Sequence, residues 1–182
     1  ARILRMDRDT TATKEGHFKI LSEFAARKAD ILVGTQMIAK GHDFPMVTLV
    51  GILDADASLH FSDYRASERT FQLITQVAGR CGRAEAAGKV VLQTYSPENA
   101  VLRRAINYDY EGFFNHEISV RKATGFPPFT EIVRIVVSGE EEEAAVSVAK
   151  NIYSEIFAIY KAERGKFAFL GCMKAPLKKL QN

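Results

Sequence analysis

Ile31-Leu32-Val33 is an unbroken apolar run that stops at Gly34-Thr35. A run of this length reads as a strand covered on both faces, the habit of parallel sheets. Working outward, Arg2 to Met6 alternates like a short strand, and Phe18, Leu21, Phe24 and Ala25 recur at helical spacing within 13–27. Val47 to Leu53 is a second apolar strand. Phe71, Leu73, Ile74 and Val77 then mark an amphipathic helix over 68–77, and Lys89 to Tyr95 a fourth strand. Strand, helix, strand, strand, helix, strand with short connections predicts a mostly parallel α/β sheet. Ligands of such sheets sit beyond the carboxyl ends of the strands, where Thr35, Asp43, Asp54 and the arginines after Val77 fall.

Ser96-Pro97-Glu98 breaks the pattern, and two helical stretches follow, over 99–106 and 109–123. Gly125-Phe126-Pro127-Pro128-Phe129 is a rigid connector; its aromatics suit core packing as well as base stacking. Beyond it the sequence predicts a strand over 130–137 and a helix to Ala162 opened by a Ser138–Glu141 capping box. A further strand is predicted over 167–170. This β-α-β unit reads as half of a ferredoxin-like domain. The expected division is therefore 1–98, 99–128 and 129–182.

At 47% hydrophobic and 26% charged residues, the composition is that of a globular chain. No apolar run approaches the ~18 residues of a membrane span. Cys81 and Cys172 are far apart and neither lies in a C-x-x-C pair, so the chain builds no zinc site alone. So few cysteines suit a cytoplasmic location. After Glu163 the charged residues are all basic: Arg164, Lys166, Lys174, Lys178 and Lys179. A basic end points to nucleic acid, or equally to a solvated surface.

The chemistry is concentrated in Gln76-Val77-Ala78-Gly79-Arg80-Cys81-Gly82-Arg83. Gln76 and Arg80 are one helical turn apart on one face. Gly79 and Gly82 end the helix, leaving two guanidinium forks on a turn of little bulk, suited to phosphate oxygens. For either arginine alone, a solvated cation at a helix end is the plain alternative. Gly41 permits an unusual backbone angle, and Asp43 can accept from a ribose or orient an arginine.

The string Q-x-x-G-R-x-G-R resembles the sixth motif of superfamily 2 helicases. With Ala39-Lys40-Gly41-His42-Asp43-Phe44-Pro45, Leu53-Asp54-Ala55-Asp56, Glu68-Arg69-Thr70-Phe71-Gln72-Leu73 and Thr124-Gly125-Phe126-Pro127-Pro128-Phe129, the chain resembles the primosomal protein N′ (PriA) family of replication-restart helicases. Cys81 stands where that family has a small residue, and Cys172 where it tends to have proline. The resemblance implies a second RecA-like motor lobe, a helical connector and part of a C-terminal domain.

It implies that Arg80 and Arg83 are arginine fingers on the γ-phosphate of ATP, with Gln76 positioning phosphate or water. Gly41, Asp43 and Gly79 line the nucleotide, and Gly34, Thr35, Gln36 and Lys40 meet the DNA backbone. Mg²⁺ and most ATP contacts belong to another lobe, since no G-x-x-x-x-G-K-[ST] loop occurs here. The zinc expected of the family likewise lies elsewhere, and the isolated chain is expected to be inactive. Implied partners are forked or single-stranded DNA, primosome proteins and single-stranded-DNA-binding protein. Two other readings stand beside this one: a non-catalytic DNA- or partner-binding module, and another superfamily 2 DNA translocase.

Overall fold

A computed structural model describes residues 1–7, 14–35, 44–79, 88–163 and 166–174. They fall into two compact units, Ala1–Thr130 and Glu131–Asn182.

In the first unit, β1 (Ile3–Met6) and β2 (Ile31–Gly34) pair in parallel, with Ile3 opposite Ile31 and Met6 opposite Gly34. β3 (Leu49–Ile52) and β4 (Lys89–Leu92) form a second parallel pair. Parallel neighbours need a crossover. α1 (Lys14–Ala25) supplies the first and α2 (Ala66–Ala78) the second. Among the described residues these are two separate ladders, not the single sheet the sequence predicts.

The strands are also not buried on both faces: Ile31 is 43% and Val33 49% exposed. A strand face is buried only where a second layer lies on it, and an apolar run does not specify that layer. In α1 Leu21 is buried while Phe18 is exposed, so only part of the predicted apolar face is used. Phe24 meets Phe44 edge-on at 5.1 Å.

α2 carries the core of the unit. Phe71, Ile74 and Ala78 recur at three- and four-residue spacing and are buried, and Thr70 just before them is buried too. The Thr70 hydroxyl donates to the Ala66 carbonyl at 2.9 Å, which satisfies it away from water. α3 (Ala100–Ile106) packs on this face with Val101, Leu102 and Ala105. Asn99 caps it, its side chain accepting from the N–H groups of Val101 and Leu102. α4 (Tyr110–Thr124) is capped by Asp109 and adds Phe113, whose ring stacks on Phe71 at 4.3 Å. Burying each such ring is worth about 1.5–3 kcal/mol. Ile52 and Leu92 pack against the same cluster, so the helices seat the β3–β4 pair. α4 ends at Gly125 with φ +68°, the left-handed conformation in which glycine carries no Cβ penalty.

In the second unit, α5 spans Glu142–Ala162 and none of its residues is buried. Its N-cap is Glu141, with no side-chain cap bond. The predicted Ser138–Glu141 box does not form, because the helix begins after Glu141 and Ser138 stands too far ahead of it. Tyr153, Phe157 and Tyr160 gather with Phe167 and Phe169. Residues 130–137 and 167–170 are not strands. Among the described residues they have no ladder partner, so the predicted β-α-β unit is not formed. No helix among the described residues is long and apolar enough to cross a membrane.

Candidate functional site

The strand ends of the β3–β4 pair are laced together. Gln93 N–H donates to the Ile52 carbonyl at 2.9 Å, and Ala55 N–H returns to the Gln93 carbonyl at 3.1 Å. Asp54 N–H donates to Gln93 Oε1 at 2.8 Å. Asp54 sits at φ 49°, a conformation that aspartate tolerates better than most residues. Asp56 is buried and accepts from Tyr95 N–H at 2.7 Å and from the Thr94 hydroxyl at 2.8 Å. The Tyr95 N–H, then the Thr94 and Ser96 hydrogen bonds, hold the Asp56 carboxyl below the usual aspartate range against the opposing effect of desolvation. Asp56 is thus a loop cap that fixes the carboxyl edge.

α2 follows this edge in the chain and ends at Gly79. Its buried face holds Phe71, Ile74 and Ala78, so the opposite face presents Gln72 and Gln76 to solvent. Those two line a groove of about 300 Å³ with Ser58, Phe61, Arg69 and Leu73. Arg69 is held by Asp63 at 3.0 Å, and the same carboxylate takes Arg65 at 3.3 Å. The Arg65 backbone N–H, then its guanidinium, hold Asp63 below the usual aspartate range. Gly79 caps α2 with φ −66°, so its freedom at positive φ goes unused. A Cβ there would meet the Thr75 carbonyl oxygen at 3.2 Å.

A second cluster stands at the other end of α2. Arg121 on α4 donates to Glu68 at 2.9 Å and to Glu117 at 2.9 Å. It also reaches the Pro127 carbonyl at 3.4 Å. Its guanidinium lies 5.2 Å from the Tyr64 ring centre, and Tyr64 stacks on Phe126 at 5.6 Å. Burial works against the Arg121 charge, but the Glu117 and Glu68 hydrogen bonds outweigh it and raise its pKa. Sequence reasoning missed this cluster. The Glu117–Arg121 spacing is one legible helical turn, but Glu68 lies 53 residues away.

Of the predicted site residues, Gly34 closes β2, Thr35 follows it exposed, and Gln76 and Gly79 share the end of α2. Gln36, Lys40, Gly41, Asp43, Arg80 and Arg83 lie outside the described residues, as does Cys81. Cys172 is an exposed thiol. Among the described residues, no group of three or more His, Cys, Asp or Glu is placed to hold a metal ion.

The family model of the helicase conserved C-terminal domain matches residues 2–85. The chain is 51% identical over 152 residues to the replication restart protein PriA of Bacillus subtilis, an alignment covering 84% of this chain and 19% of that protein. It is 44% identical over 155 residues to PriA of Chlamydia muridarum, covering 85% of this chain and 21% of the relative. Against PriA of Rickettsia typhi it is 37% identical over 180 residues, covering 99% of this chain and 27% of the relative. The chain thus spans about a fifth to a quarter of the length of these relatives.

Proposed function

The chain belongs to the PriA family of replication restart proteins, and from that premise we propose that residues 1–98 act as the second RecA-like lobe of an ATP-dependent DNA helicase at stalled or branched forks. Residues 99–128 are its helical connector, and 129–182 belong to a further domain. The observation that carries the reading is the exposure of Gln76 on α2, opposite the buried Phe71–Ile74–Ala78 face. Gln76 opens the sixth-motif string in the sequence, and its exposure supports a role for that string in meeting a nucleotide.

In the closed motor, Arg80 and Arg83 meet the γ-phosphate and stabilise charge that develops during transfer. Arginine fingers in related phosphoryl-transfer systems are worth ~10³–10⁵ in rate. Gln76 orients phosphate or water, while Gly41, Asp43 and Gly79 border the nucleotide. Gly34, Thr35, Gln36 and Lys40 touch the DNA backbone through N–H, hydroxyl and ammonium groups, positioning without reading sequence. Mg²⁺, when bound, would neutralise phosphate charge. On this reading its ligands, like those of zinc, are supplied by other parts of the full-length protein. Partners on this reading are forked or single-stranded DNA, primosome proteins and single-stranded-DNA-binding protein.

DNA-stimulated ATPase assay of the full-length protein with Arg80→Ala and Arg83→Ala tests the reading. A large loss of turnover supports it. Normal turnover in both variants would favour a module that binds DNA or a partner without ATP chemistry.

A further inference from the structure

Three N–H directions of the Arg121 guanidinium are each spent on a different element. Nε meets Glu117 on its own helix at 2.9 Å, Nη2 meets Glu68 on α2 at 2.9 Å, and Nη1 meets the Pro127 carbonyl of the connector at 3.4 Å. The side chain is only 13% exposed. Its flat face lies against Tyr64, which stacks on Phe126 of the same connector. Glu68 has its second oxygen occupied as well, accepting from Gln72 Nε2 at 3.3 Å. Gln72 stands one turn before Gln76, and both line the same groove. Glu68, Gln72 and Gln76 therefore form one row at four-residue spacing, about 12 Å from end to end.

We propose that Arg121 is a positioning residue for the motor: it clamps the Phe126–Pro127 connector to the Glu68–Gln72–Gln76 row, so that the place of the connector sets the aim of the row. The inference rests on the helicase reading above. Arg121 touches no nucleotide and acts only through Glu68 and the α2 backbone. The planar fork is essential, because one guanidinium must satisfy two carboxylates and a carbonyl at fixed angles, which an ammonium cannot do. Displacing the connector pulls on the arginine, releases Glu68, and frees Gln72 from its bond to Glu68, one turn from Gln76 in the same groove. Small misplacement of a group near reacting atoms costs rate far more than it costs binding.

The test is made in the full-length protein with Arg121→Lys, Glu68→Gln and the double variant, and with Arg80→Ala as reference. Each is assayed for kcat and KM of ATP with and without DNA, for DNA affinity and for melting temperature. The clamp predicts a fall of about 10–100-fold in DNA-stimulated kcat for each single variant, with KM for ATP and DNA affinity nearly unchanged. The double variant is no worse than the worse single, because both break one link. Phe126→Ala, at an exposed position, gives the same signature without touching the ion pair. Unchanged stimulated kcat in folded variants overturns the proposal, and so do losses that multiply in the double variant. If Arg80→Ala keeps normal turnover, the helicase reading itself fails. If Arg80→Ala is inactive while Arg121→Lys is normal, only the clamp fails.

Discussion

The Asp56 carboxylate accepts the Tyr95 N–H at 2.7 Å, joining the loop after β3 to the loop after β4 across 39 residues of sequence. The acceptor is buried and the donors belong to another loop, so this side chain adds a link between the two strand ends to those made through Gln93.

The pH dependence follows from the sign of the Asp56 shift. Its pKa is lowered in the folded protein, chiefly by the Tyr95 N–H. The stabilisation is therefore full above the unfolded aspartate value of about 3.9 and is lost as pH falls through the lower folded value. Melting temperature should drop on acidification below about pH 4. Asp56→Asn should lower it at neutral pH and flatten that acid limb. An acid limb unchanged by the substitution would show that other carboxylates govern it.

Phe71 is the core position whose loss should matter most. It is 4% exposed and stacked on Phe113. Phe71→Ala should cost about 3–5 kcal/mol, a large part of the ~5–15 kcal/mol that holds a typical domain together. Urea unfolding checks this, and a cost under 1 kcal/mol would mean that α2 is not seated as described.

Gly125 closes α4 at φ +68°. No atom stands closer than 4.0 Å to the place of a Cβ, so the penalty of Gly125→Ala is conformational rather than steric. A loss of roughly 1–2 kcal/mol is expected. A stabilised variant would contradict the left-handed assignment.

On the proposed finger role, Arg80→Ala or Arg83→Ala should raise the barrier by about 2–4 kcal/mol. Thermal stability should hardly move, and lysine should restore little of the rate. DNA binding without nucleotide should survive both changes. Turnover and melting measured side by side separate this from misfolding.

The isolated chain should bind DNA weakly and without sequence preference, its affinity falling linearly on a log–log salt plot. It should show no ATPase activity. Thr35→Ala should weaken binding equally on unrelated sequences, measured by fluorescence anisotropy. Affinity that resists salt or selects a base sequence would count against backbone contact.

Much of α2 was legible because burial follows spacing: Phe71 and Ile74, picked from periodicity, are buried, while Leu73 and Val77 are only half covered. Both parallel pairings follow from crossover logic. The covering of the strands was not legible, since Ile31 and Val33 look alike whether or not a layer lies on them. Alternation over 130–137 likewise marks a surface able to pair, and pairing needs a partner that alternation cannot supply. The Ser138–Glu141 pattern matched a capping box, yet the chain enters helix only after Glu141. The Arg121–Glu68 contact was out of reach because charged residues carry no label for partners 53 residues away. Of the predicted nucleotide and DNA groups, Gly34, Thr35, Gln76 and Gly79 have described positions; the arginines themselves do not.

The crossover between β3 and β4 has a consequence for synthesis on the ribosome. β3 has no ladder partner until Lys89 and the residues after it have emerged. The interval of 39 residues that separates Asp54 from Gln93 takes roughly 2–8 s to translate. During that time Leu49 and Val50 present an unpaired apolar edge, and the α2 face that buries Phe71 waits still longer for α3 and α4. Codon changes that slow the interval between the emergence of Ile52 and that of Phe113 should therefore lower soluble yield without altering the mature protein.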